Sequence, residues 1–253
     1  MTGTDVSPEQ TIQAVADRLE RETVRLERAH DSRAVFSYSY LRLTQALASA
    51  ASRDRFADPA WVARLAAIFA ERYFQALDAF DRGIAPGTPW REVFEAICRQ
   101  PTSALEDLVF PMAAHIVHDL PLSLVEMGLA GEDGASHVRD FHLVNDVIEA
   151  TIEDVQDAVA RRYEPLTGWL DQLGADLDEI ATNYGVRVAR GLAWYNASRL
   201  LDPTSHAEAV ASIEHSPLVL IEQVRHPPLW SLRTVFRLSR WLAARLRRWP
   251  SHR

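Results

Sequence analysis

The sequence predicts an all-α protein, a single multi-helix bundle followed by a C-terminal amphipathic basic helix. Three observations point there. Apolar residues recur every three or four positions through long stretches of the 253-residue chain. Several of those stretches open on helix N-terminal signatures. No series of alternating apolar and polar residues marks a set of strands.

The elements follow in order. Ser7-Pro8-Glu9-Gln10 supplies a cap, a first-turn proline and a capping-box glutamine, opening a helix over about 8–29. A second helix is expected over 33–52. Asp58-Pro59 opens a third, with Trp61, Leu65, Ile68, Phe69, Tyr73 and Leu77 at helical spacing. The stretch 83–89 is a loop, and Thr88-Pro89 starts the next helix. Ser103-Ala-Leu-Glu106 is a second capping box. Beyond a loop at 128–134, one long helix is expected over 137–163, a short one at 168–173 and a long one over 176–201. Ser205-His-Ala-Glu208 opens a short helix ending near Ser216-Pro217. Residues 1–226 form the helical domain and 227–253 the tail.

Composition narrows the chemistry. All 27 basic residues are Arg, so neither a Schiff-base lysine nor a phosphate-loop lysine is present. One cysteine, Cys98, excludes an intramolecular disulfide and a cysteine-cluster metal site. The N-terminus lacks the layout of a secretory leader and no apolar run approaches membrane-spanning length, which implies a cytoplasmic protein, bound to a membrane at most peripherally. Residues 225–253 carry eight Arg and no acid; with a net charge of −8, the first 224 residues carry −16. An acidic body argues against nucleic-acid binding by the main domain. The tail interleaves Arg with Leu229, Leu232, Val235, Phe236, Trp241 and Trp249, a pattern suited to an anionic membrane surface through 228–253 or to docking on the acidic body.

The strongest pointer to a site is Asp119. On a helix starting near Leu105, the apolar arc is Leu105, Leu108, Val109, Met112, Ile116 and Leu120, and Asp119 falls inside it. A buried carboxylate must be paired, hydrogen-bonded or metal-bound. His115 lies one turn earlier, and Pro121 removes a backbone donor beside it, so the helix must bend or stop there. His118 is expected on the opposite, exposed side. On the helix over 137–163, Asn145, Glu149 and Glu153 follow at steps of four, three oxygen donors suited to a divalent cation such as magnesium. Arg187, Arg190 and Trp194 form a further helical set, and Tyr38, Tyr40, Tyr73, Phe74 and Trp90 are candidates to line an apolar cavity.

The segments Phe56-Ala-Asp-Pro59, Phe69-Ala-Glu-Arg-Tyr73, Pro89-Trp90, Met112-x-x-His115-Ile-x-x-Asp119-Leu, Asp140-Phe-x-x-Val-Asn145 and Arg190-x-x-x-Trp194 resemble an uncharacterised, all-helical actinobacterial family, a domain of unknown function marked by the His-Ile-x-x-Asp-Leu element. The resemblance spans about 34–201 and implies the fold and the position of a site, with no established activity. Asn145-Asp-x-x-Glu149-x-x-x-Glu153 is also similar in spacing to the magnesium motif of class I terpene synthases, with Glu149 where that motif has Ser.

These readings converge on a metal-dependent enzyme acting on a lipophilic small molecule, with terpene-cyclase-like chemistry on a prenyl diphosphate as its most specific form. In it Asp119, His115, Asn145, Glu149 and Glu153 hold magnesium, Asp119, His115 and Arg190 are catalytic, and Arg187, Trp194 and Tyr73 bind substrate. A metal-free hydrolase or isomerase using Asp119 and His115 is the enzymatic alternative. A non-catalytic ligand-binding or scaffold protein docked at membranes by its tail is the other.

Overall fold

A computed structural model describes residues 6–53, 55–99, 101–131, 135–164, 183–227 and 230–252, and those residues form helices joined by short loops. The expected helix at 168–173 and the start of the one at 176 lie outside the described residues. The chain runs α1 (Pro8–Arg28), α2 (Arg33–Ala51), α3 (Pro59–Asp81), α4 (Trp90–Arg99), α5 (Ala104–Met112), a π-helical turn (Ala113–Asp119), α6 (Leu120–Met127), α7 (Val138–Glu149), α8 (Ile152–Tyr163), α9 (Asn183–Leu201), α10 (His206–Arg225) and α11 (Trp230–Leu246).

Both N-terminal capping boxes form: Ser7 with Gln10 and Ser103 with Glu106 each satisfy two backbone or side-chain partners reciprocally. Asp58 caps α3 by accepting from the Trp61 backbone N–H at 2.8 Å. Asp140 joins two helices. Its buried carboxylate accepts the Ala57 and Asp58 backbone N–H groups at 2.9 and 2.6 Å, fastening the start of α3 to α7.

α5, the π turn and α6 form one continuous rod, Ala104–Met127, packed against α2, α3, α4, α8, α9 and α10. By length and mean hydropathy (1.5) this rod is apolar enough to cross a bilayer, which corrects the expectation that no run approaches that length. It is 67% buried within the fold, the pattern of a central core helix.

The bend expected at Pro121 takes the form of the π turn. The Leu120 N–H bonds to the His115 carbonyl, five residues back rather than four. Pro121 then donates nothing, and the Ser123 hydroxyl donates to the Asp119 carbonyl at 2.8 Å. The rod therefore continues past the proline instead of stopping.

Two further boundaries differ from the sequence expectation. The helix expected over 137–163 is broken between Glu149 and Ile152. The Thr151 hydroxyl donates to the Val147 carbonyl at 2.7 Å, and the Thr151 carbonyl accepts the Val155 N–H to start α8. α10, conversely, runs through Pro217 to Arg225. Ile213, Pro217, Ile221 and Val224 are all buried on one stripe, and burying that stripe outweighs one missing backbone bond. The Ser205 hydroxyl donates to the Arg199 carbonyl instead of capping α10.

The basic tail docks on the acidic body. Arg240 makes a bidentate pair with buried Glu106, at 2.7 Å in its shortest contact. Arg247 reaches Asp107 at 2.6 Å and Glu164 at 2.7 Å. His252 and Arg162 share Glu27, whose other partner is the Tyr163 hydroxyl at 2.6 Å. Trp249 stacks on His30, and Phe236 joins the main core. The charge asymmetry read from the sequence thus has an intramolecular use.

Candidate functional site

The site is built where the π turn meets α2, α3 and α4. Asp119 is buried, and its carboxylate accepts three N–H groups: the Trp90 indole to Oδ2 at 2.8 Å, His115 Nδ1 to Oδ2 at 3.0 Å and His118 Nδ1 to Oδ1 at 2.8 Å. Hydrogen bonds are how this chain meets the cost of the buried charge. Burial alone would push the Asp119 carboxyl up; the bonds from His115 and His118 more than offset it and hold the group below its ordinary value. His118 is therefore not an outward-facing residue. Its side chain is 17% exposed and turned onto Asp119, because the wider π turn rotates it toward the core.

The state of His115 follows from this. A carboxylate can only accept, so Nδ1 carries the hydrogen and Nε2 keeps its lone pair. Burial lowers the His115 pKa below its ordinary value, against the opposing hydrogen bond to Asp119, so the ring is neutral near pH 7. Its Nε2 is buried and has no hydrogen-bond partner among the described residues. The ring is clamped by stacking on Phe69, centroids 3.6 Å apart, and by edge contacts with Phe36 and Tyr40.

His115 lines an apolar cavity of about 140 Å3, walled chiefly by α2, α3, the rod and α7. Leu43, Leu65, Phe69, Ile116 and Val144 are among its lining side chains. Ser39, Tyr40, Thr44, Gln156 and Arg190 are the polar side chains that join His115 there. Tyr40 lines the cavity, and its hydroxyl is held protonated by burial and by the Asp119 charge. Arg190 of α9 is the one Arg among them, 6% exposed. Its Nε donates to Asn145 Oδ1 at 2.5 Å and its Nη2 to the Phe141 carbonyl at 3.3 Å, while its guanidinium lies 4.3 Å from the Phe141 ring centroid. No carboxylate pairs with it among the described residues. Burial pulls the Arg190 pKa down to about 10.

The residues singled out in the sequence divide accordingly. Asp119 and His115 touch, and His115 and Arg190 face one cavity. The side-chain partner of Arg190 is Asn145. Asn145 is buried and engaged by Arg190, Glu149 is half-exposed and paired with Arg187 at 2.5 Å, and Glu153 is exposed on the first turn of α8. The break at Ala150–Thr151 takes Glu153 off the ridge that carries the other two. Among the described residues, no group of three or more His, Cys, Asp or Glu side chains is placed to hold a metal ion, and the five residues expected to bind magnesium are not gathered at one point.

Arg187 sits at the surface, paired with Asp146 and Glu149. Trp194 packs on Phe141 at 5.0 Å, behind Arg190. Tyr73 is buried and shares a 2.7 Å hydrogen bond with Ser37, in the aromatic shell around His115. Two contributors carried no specific signal in the sequence. Trp90 is 29 residues from Asp119, and Tyr40 was one of several aromatic candidates; only the packing of α2 and α4 on the rod selects them.

No curated protein and no solved structure is significantly similar to this chain. Residues 12–227 match a family of unknown function, DUF5995, and the chain belongs to that family.

Proposed function

We propose that the protein is a metal-free acid/base enzyme acting on a lipophilic small molecule held in the cavity, with His115 as general base. The observation that carries this reading is His115 itself: a neutral imidazole on the wall of an apolar cavity, with Nδ1 fixed by a buried carboxylate and Nε2 unpaired among the described residues. Asp119 orients the ring and stabilises the imidazolium that forms when Nε2 takes a proton from the substrate or from water. Trp90 and His118 hold Asp119 in place for that task. Tyr40 supplies a hydroxyl donor for negative charge developing on the substrate, and Arg190 a cation on the same wall. Because no Gly-x-Ser-x-Gly elbow or catalytic cysteine accompanies them, the class is hydrolysis by activated water, or isomerisation.

The alternative of membrane docking by the tail draws on the outer side of α11, where Trp241 is 50% exposed with Arg245 stacked on its ring. Arg240 and Arg247 are spent on the body, which leaves that side fewer charges than the sequence offers.

The test of the enzymatic reading is a turnover screen of medium-chain esters and of β,γ-unsaturated ketones, run without added metal. A substrate is expected whose kcat falls at least 100-fold in His115→Gln, an effect of the size general-base removal produces, with little change in KM. Turnover unaffected by that substitution would remove His115 from the reaction.

A further inference from the structure

The cavity holds a feature that an acid/base dyad does not require. Arg190 is a buried cation on an apolar wall, oriented by one neutral amide oxygen and one carbonyl, and no carboxylate pairs with it among the described residues. Those two bonds engage Nε and Nη2, and they leave Nη1 and the second Nη2 hydrogen unassigned. A guanidinium in such surroundings is matched by a planar oxyanion that it can grip with two parallel bonds. Tyr40, on the same wall, is a protonated hydroxyl with no hydrogen bond to a described residue, and offers a further donor.

Charge and size then specify the ligand. One cation offsets one negative charge. A diphosphate carries more, and among the described residues no second Arg lines this cavity to meet it. An apolar cavity of about 150 Å3 accommodates a molecule of benzene size, roughly six carbon atoms. The cavity here, at about 140 Å3, is of that class. We infer that the site takes a lipophilic monocarboxylic acid of about six carbons, its carboxylate gripped by Arg190 and its hydrocarbon part lying among Leu43, Leu65, Phe69, Ile116 and Val144. This deepens the proposed function, since it names the class of molecule presented to His115. It stands on Arg190 rather than on the dyad, however, so the two can fail separately.

The probes are hexanoate and hexan-1-ol, which share a chain and differ in charge. Calorimetric titration of the full-length wild-type chain is expected to show hexanoate binding at least 10-fold more tightly than hexan-1-ol. Arg190→Met, close in length and without charge, should lose at least 10-fold in hexanoate affinity and leave hexan-1-ol unchanged. His115→Gln should retain hexanoate, which separates binding by Arg190 from catalysis by His115. Equal affinity of the wild type for the two probes overturns the carboxylate, whether or not the Arg190→Met protein folds. Binding of neither probe overturns the six-carbon acid altogether. Hexanoate affinity that survives in a folded Arg190→Met protein overturns the role given to Arg190.

Discussion

Asp119→Ala is expected to lower stability at pH 7 by about 3–5 kcal/mol, the range for breaking a buried charged network by removing one member. The carboxylate meets N–H groups of Trp90, His115 and His118, and its loss strands the Trp90 and His115 donors in a packed core. Domains are stable by roughly 5–15 kcal/mol in total, so this one change approaches global unfolding. Asp119→Asn keeps the shape and one acceptor oxygen, and should cost about half as much. Urea denaturation measures both; a loss under about 1 kcal/mol for the alanine variant would contradict the network's importance. The pH dependence has a definite sign. His115 and Asp119 both have folded-state pKa values below their ordinary ones. Their contribution is therefore present at neutral pH and is lost on acidification, the His115 part below about pH 6.5 and the Asp119 part below the usual carboxylate range.

The second large effect is expected at the other end of the chain. Arg247→Ala should destabilise the protein by about 3–5 kcal/mol, because it leaves two buried carboxylates without their shared cation. Arg247 reaches Asp107 at 2.6 Å, Glu164 at 2.7 Å and the Thr102 carbonyl at 2.8 Å, with 8% of its side chain exposed. Burial already pushes the Asp107 carboxyl up to about 7, with Arg247 and the Thr102 hydroxyl offsetting only part of the cost. Without Arg247, Asp107 is expected to be protonated at neutral pH. Adding Asp107→Asn to Arg247→Ala should then recover part of the loss, whereas a purely additive double mutant would show that the two residues are not coupled. Limited proteolysis gives a second reading of the same variant: the segment around α11 should become the first site of cleavage.

The sequence was most legible where helical periodicity met an exception. Asp119 stands out because a carboxylate occupies an apolar arc, and His115 follows from the four-residue step. The proline effect was legible as a disturbance but not as a π turn, since the same missing donor allows a kink, a stop or a widened turn, and packing around the rod decides among them. Asn145, Glu149 and Glu153 looked like one ridge because period alone cannot see Thr151 turning its hydroxyl back onto the Val147 carbonyl. Nor can it see Arg187, from a helix about 40 residues away, taking up Glu149. Arg190 was legible as a polar member of a helical set, but its isolation from carboxylates was not, because that depends on what α7 and α2 bring to it. In each case the missing information was a contact between elements distant in the chain.

The base role of His115 rests on its protonation state, which long-range 1H–15N correlation spectroscopy of the histidine side chains between pH 5 and 8 reads out, with His115 assigned by its loss in His115→Gln. Expected are a neutral ring at pH 7, hydrogen on Nδ1, an unprotonated Nε2, and a midpoint below the ordinary histidine value of about 6.5. An imidazolium at pH 7, or a neutral ring with its hydrogen on Nε2, would contradict it and leave the cavity without its base.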